Sequence, residues 1–354
     1  MSDASPQTDF KEPREIIPLP TPVLEMMASR EHRLLHAVWH GTRNLWVRLK
    51  EEQRIAIKDL GWAPPRASTT ASAPIISNGS GEDFLFMHRQ MIIMVNETAK
   101  KAGAQPIEAW TVIPMPDSYT NVDGFAIPPA WIDPDDQLTN RRIAALKTDE
   151  YYWSRMRWWD REFKNPQYLR QLRLGELGSL LEYTIHNDMH MRWASAPRDP
   201  STGAVVPAGR PQWEISTKWD NPLYDFLGEF YSSHVNPVFW RLHGWIDARI
   251  NDWYDAHQAS HPGEIEKMTL DGTPWFKKGK WVMTNDPWAG AKQHNGHHQH
   301  GMNMPAMPMN QDVGKMEKVN AILFPPPPPD GSKTADFASE SLLVNQTSRK
   351  LTWF

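Results

Sequence analysis

The sequence predicts a mainly α-helical fold with long irregular loops and few strands, on three observations. Histidines recur every fourth residue at His32, His36 and His40, and again at His186 and His190, a spacing that sets side chains on one helix face. The run around His243 carries Phe239, Leu242, Ile246 and Ile250 at helical spacing. The third is composition: 18 tryptophans and 31 prolines in 354 residues supply large rigid rings for a core and many breaks between helices. A chain this long can bury a sizeable core, and it reads as one large domain with appendages. A formal charge of −4 gives no field to hold nucleic acid or an anionic membrane, and no stretch is apolar for long enough to cross a bilayer. With no cysteine, any metal must be held by histidine, carboxylate or methionine. The start, Met1-Ser2-Asp3-Ala4, lacks a basic segment followed by an apolar run, which favours a cytoplasmic protein.

In chain order, residues 1–20 are polar and proline-broken and read as an extended arm. Thr21-Pro22 then opens a helix expected to run to Lys50, with Leu35, Trp39, Trp46 and Leu49 among its apolar positions and the His32/His36/His40 stripe on one side. Residues 61–81 shift to Pro, Ala, Ser and Thr and read as a loop. A second apolar run, Phe84-Leu85-Phe86-Met87-His88-Arg89-Gln90-Met91, follows it. Residues 104–140 are expected to wrap the core irregularly, and 141–173 to form an aromatic amphipathic helix whose arginines are balanced by Asp149, Glu150, Asp160 and Glu162. Gly175-Glu176-Leu177-Gly178 marks a break before the helix of Glu182, His186 and His190. A Gly/Pro-rich loop at 194–218 and a short helix lead to the last long helix, from Pro237 to about His257. Beyond residue 290 come His294, His297, His298 and His300 with Met302, Met304, Met307 and Met309, a tract whose imidazoles and thioethers suit copper, then the stiff run Pro325–Pro329 and an apolar end at Trp353-Phe354.

His186 and His190 present two imidazoles from one helix face, and His243 sits in an apolar segment where an unpaired imidazole is costly. A metal with these three ligands accounts for all of them. The competing account is two half-exposed helix histidines and one core histidine bonded to a carbonyl.

Two segments, His186-Asn187-Asp188-Met189-His190 and Asn236-Pro237-Val238-Phe239-Trp240-Arg241-Leu242-His243-Gly244-Trp245-Ile246-Asp247, resemble the second copper site of the tyrosinase family of type-3 copper proteins, with its H-N-x-x-H and D-P-x-F-x-x-H-H-x-x-x-D motifs. The first matches in full; in the second Asn236 and Leu242 replace an aspartate and a histidine, while the ligand position His243 and Asp247 are kept. The run Phe84–Met91 resembles the family's first-site segment F-L-P-W-H-R-x-x-L, which makes His88 a ligand there. The family's carboxylate further along falls at Asn96, and its upstream first-site histidine falls at Gly79. His40, followed by Gly41, is the nearest family equivalent on the first helix, and His36 one turn earlier is the candidate for the missing imidazole. His32, a histidine of the tail, or a first copper with two protein ligands are the alternatives.

The resemblance, covering residues 30–255, implies a four-helix bundle holding a dinuclear site: two copper ions on His36, His40, His88 and His186, His190, His243. It further implies that Glu182 orients a water, that Asn187 assists deprotonation of a monophenol through it, and that Arg89 and Asp247 link two ligand helices by an ion pair. The expected activity is oxidation by dioxygen of a phenolic or aminophenolic small molecule, with a copper donor as a further partner. The irregular rim and unusual first site resemble the secondary-metabolite branch of the family, which includes pyoverdine-maturation enzymes, more than the pigment-forming one. A tyrosinase-like domain is thus expected over 21–290, with a His/Met-rich and polyproline segment at 291–330 and a tail at 331–354. The alternatives are a copper- or oxygen-binding protein without turnover, and a mononuclear hydrolase on His186, His190 and His243.

Overall fold

The computed structural model of the protein describes residues 10–116, 125–291 and 312–328; the His/Met tract and the tail expected at 331–354 lie outside these. The described residues are mainly helical, as expected, with one two-stranded hairpin. None of their helices is long and apolar enough to cross a membrane. Within the segment read as an arm lies a short helix α1 (Pro13–Ile16).

The single helix expected over 22–50 is two. Helix α2 (Thr21–Ala28) stops at Ser29, whose backbone is extended (φ −62°, ψ 147°), and α3 (Arg30–Leu45) starts afresh. Ser29 makes the break by capping: its Oγ accepts from the His32 amide at 3.4 Å and donates to the Met26 carbonyl at 2.7 Å. A 3-10 turn, Trp46–Arg48, closes α3, and α4 (Glu51–Asp59) follows.

Helix α5 (Ser80–Lys101) carries His88. Gly79 precedes it with φ +80°, and a Cβ there would stand 2.8 Å from Thr284 Cγ2, so a side chain at this position is excluded on both counts. The carboxylates of its first turn hold a distant segment: Glu82 accepts from the amides of Met283 (2.6 Å) and Thr284 (2.8 Å), and Asp83 from that of Trp288 (2.7 Å) while pairing with Arg66.

The 141–173 stretch is likewise divided, into α6 (Gln137–Leu146), α7 (Asp149–Tyr151) continuing through a π turn (Tyr152–Met156) into α8 (Arg157–Glu162), and α9 (Pro166–Leu169). Thr148 caps the second piece by accepting from the Tyr151 amide (3.1 Å), and Asn165 with Pro166 starts the last. Helix α10 (Leu174–Leu181) then begins where a break was expected, with Gly175 and Gly178 inside it. The reason lies across the interface: a Cβ on Gly81 of α5 would overlap Gly175 O and Ser179 N, and one on Gly178 would overlap Gly81 O. These glycines let two helix backbones touch rather than ending a helix.

From α10 the chain passes through a second π turn, Glu182–His186, into α11 (Asn187–Trp193). Helix α12 (Pro237–Ser260) carries His243; its cap Asn236 accepts from the Val238 amide at 3.0 Å, so asparagine does here what an aspartate would. Arg89 on α5 and Asp247 on α12 form the expected pair, Nε to Oδ1 at 2.7 Å. Strands β1 (Lys267–Leu270) and β2 (Thr273–Phe276) turn at Asp271-Gly272, both with positive φ. Inside the segment read as His/Met-rich and polyproline, α13 (Val313–Leu323) packs on α3, where a Cβ at Gly41 would stand 3.0 Å from Leu323 Cδ1.

Candidate metal centre

Six histidines converge from four helical segments. His36 and His40 come from α3 and His88 from α5; His186 and His190 flank the junction of the π turn with α11, and His243 comes from α12. They form two groups, His36/His40/His88 and His186/His190/His243, and within each one nitrogen per ring lies within 4.8 Å of the others. The groups abut: the rings of His88 and His243 stack at 4.2 Å with 11° between planes. All six side chains are 3% exposed or less.

Hydrogen bonds to oxygen fix which nitrogen four of the six rings present, while Nδ1 of His243 is buried without a partner. A carbonyl oxygen only accepts, so a ring nitrogen bonded to one carries the proton and leaves its lone pair on the other. Nδ1 of His36 donates to Phe230 O (2.6 Å), that of His88 to Phe84 O (2.8 Å) and that of His190 to Leu227 O (2.8 Å). His186 Nδ1 lies 3.3 Å from Glu182 O and 3.0 Å from Asn187 Oδ1. The Nε2 atoms of His36 and His88 are buried with no hydrogen-bond partner. Between His190 and His243 the Nε2 atoms are 3.2 Å apart, close to the roughly 3.3 Å separating two imidazole nitrogens that share a tetrahedral ion at about 2.0 Å. Inward nitrogens on His36 and His88, the opposite nitrogens of His36, His88, His186 and His190 held by carbonyls, and, among the described residues, no carboxylate in either group fit a soft-to-borderline ion that takes imidazole, copper and zinc included.

Electrostatics favour the ligating form. Burial lowers every one of the six, His36 to about 4 and His186 to about 3, with the other four well below the ordinary value. In all but His36, the charge a neighbouring imidazole would carry adds to the effect. The rings are neutral at physiological pH, the state that binds a metal.

Around them, Glu182 is held at two points by Arg43 (Nη1–Oε1 2.6 Å, Nη2–Oε2 3.0 Å), and Arg43 also donates to Ser80 O (2.9 Å). Burial pushes the Glu182 carboxyl upward and Arg43 opposes it; two-point contact with a guanidinium that cannot deprotonate keeps it ionised. Asn187 sets its Oδ1 against Nδ1 of His186, the nitrogen opposite the one left for a metal. His32, one of the alternatives for the first group, bonds Ser29 Oγ (3.0 Å) and belongs to neither cluster. Asn96, where the resemblance places a carboxylate, accepts from the Ile107 amide (2.9 Å).

Several neighbours were not anticipated. Phe230 lies flat on His40 (4.2 Å, 4°), and Trp39 meets His40 edge-on at 4.7 Å while stacking on Trp288. His234 is buried 4.8 Å from the His36 ring and bonds Met27 O (3.1 Å). A histidine in the apolar run 230–235 was a visible signal; the carbonyls of Phe84, Leu227 and Phe230 carry none, since every residue has one. In comparisons with known proteins, the sequence matches no family model and no curated protein.

Proposed function

We propose that the chain is a dicopper oxidase, a tyrosinase-like enzyme that uses dioxygen to hydroxylate a phenol or to oxidise a catechol or o-aminophenol, in the tailoring of a natural product. In this reading the ligand-bearing segments α3, α5, the π turn with α11, and α12 act as a four-helix bundle around a dinuclear centre. The observation that carries it is the pair of abutting, buried three-histidine groups, with Nδ1 of His36, His88 and His190 bonded to carbonyls so that Nε2 is left to the interior. His36, His40 and His88 would hold one copper and His186, His190 and His243 the other, and the chemistry such a pair would supply is redox activation of dioxygen.

The remaining chemistry falls to the chain. Phe84, Leu227 and Phe230 hold three of the imidazoles in their binding tautomer through carbonyls, and burial keeps the rings unprotonated. Each Glu182 oxygen retains a lone pair beyond its bond to Arg43, enough to orient a water. Asn187, beside His186, would complete the site of that water, which would take the phenolic proton and pass it to the Glu182 carboxylate. A second reading, a copper- or oxygen-binding protein without turnover, draws on the near-complete burial of all six rings.

Purified protein should contain two coppers per chain and consume oxygen with a catechol or o-aminophenol. Glu182→Gln and Asn187→Ala should each lower phenol hydroxylation about 10²-fold relative to catechol oxidation. Two coppers with no oxygen uptake across a phenol and aminophenol panel would favour the second reading, and a single zinc per chain would overturn both.

A further inference from the structure

The four residues Leu227-Gly228-Glu229-Phe230 touch both histidine groups at once. Leu227 O accepts from His190 of the second group, and Phe230 O accepts from His36 of the first. The Phe230 ring covers His40, so three of the six imidazoles lean on this stretch. Gly228 fits tightly between its neighbours: a Cβ there would stand 2.6 Å from Phe226 Cζ and 2.9 Å from Sδ of Met191, the residue after His190.

The stretch is also braced from outside. The Ser232 hydroxyl lies 2.9 Å from both Phe226 O and Glu229 Oε1, Asn236 Nδ2 donates to Asp225 O (3.1 Å), and the buried Arg33 on α3 donates to Tyr224 O (3.0 Å) and Asn221 O (2.8 Å). Two carbonyls set only three residues apart on such a braced turn cannot be re-aimed independently. Whatever fixes His190 against Leu227 also sets where Phe230 O stands for His36.

We infer that Leu227–Phe230 is a mechanical coupler that makes the two metal sites fill cooperatively, so that an ion in one group preorganises the other. The inference rests on reading both groups as metal sites. Its sign is diagnostic, because two cations side by side repel: independent groups would fill with a Hill coefficient below unity. A coefficient above unity requires a link between the groups whose ordering by the first ion outweighs that repulsion; the His88–His243 stack is the other such link, and the Gly228 and Ser232 variants below leave it in place.

The test uses full-length protein stripped of metal and titrated anaerobically with chelator-buffered copper(I), with backbone hydrogen exchange over 226–232 followed in parallel. Two ions should bind with a Hill coefficient above unity. In His88→Phe, which dismantles the first group without touching the coupler and keeps an aromatic ring beside His243, the remaining ion should bind about tenfold more weakly than in the wild type, yet loading should still slow exchange over 226–232. Gly228→Val, which crowds Phe226 and Met191 but no ligand, should weaken both ions and abolish the cooperativity; Ser232→Ala, which loosens the brace without adding bulk, should do so in part and covers the case where the valine variant fails to fold. Two ions bound with a coefficient of unity or less, or unchanged exchange over 226–232, would overturn the coupler while leaving the two sites standing. Failure of the wild type to bind copper at all would overturn sites and coupler together.

Discussion

Arg43 has no contact with solvent: its guanidinium lies 4.3 Å over the Trp39 ring, and both its outer nitrogens reach Glu182. A buried pair of this kind costs little to replace whole and much to halve. Arg43→Met should therefore destabilise the metal-free protein by about 3–5 kcal/mol in denaturant unfolding, and the double change with Glu182→Leu should recover most of that loss. The histidines make a second prediction at this scale. His32, His36, His40, His88, His186, His190, His234 and His243 are all lowered by burial, His32 and His36 to about 4, so they stay neutral when folded while the unfolded chain takes up protons near pH 6.5. Between about pH 6.5 and 4 the unfolded state binds more protons, so the stability present above 6.5 is lost as pH falls. Asp83 and Asp225, lifted by burial to about 6, work the other way over the lower part of that window but are outnumbered. Unfolding free energies of the metal-free protein measured from pH 7 to 5 should decline with a slope of more than about two protons; a flat profile would mean the imidazoles are not held neutral inside.

At the scale of elements, the orientation of α3 depends on a cap inside an otherwise continuous apolar pattern. Ser29→Ala should cost about 1 kcal/mol in thermal or denaturant unfolding and lower the affinity of the His36/His40/His88 group for added metal ion more than that of the other. The helical pieces themselves were legible, because fourfold histidine spacing and apolar periodicity survive in any context. Their breaks were not: at Ser29, and again at Thr148 and Asn165, a side chain outcompetes the helix locally while the hydrophobic pattern runs on. The hairpin at Asp271-Gly272 had a readable turn signal that its short strands did not reinforce, and α13 was masked by the compositional bias around it. The π turn that ends on His186 has no sequence signature, since its backbone bonds are displaced by one residue.

Over the whole molecule, the relative placement of the two histidine groups depends on a contact with no side chains in it. At Gly81 and Gly178 the backbones of α5 and α10 touch, and α10 leads directly to His186. Gly178→Ala should separate the helices, cost more than about 3 kcal/mol and reduce metal content, as unfolding and metal analysis of the same preparation would show. The six histidines that the fold brings into two groups are legible in the sequence because side chains able to ligate are written in the chain. Gly178 reads as part of a break and Gly81 as the end of a loop, because what these glycines accommodate is another helix brought near only by folding. Trp39 has a practical use in this arrangement: its ring meets His40 edge-on and lies 5.9 Å from His88. Copper bound by its neighbours would quench the indole's emission, so the difference in fluorescence between wild type and Trp39→Phe is a label-free optical record of when the first group fills.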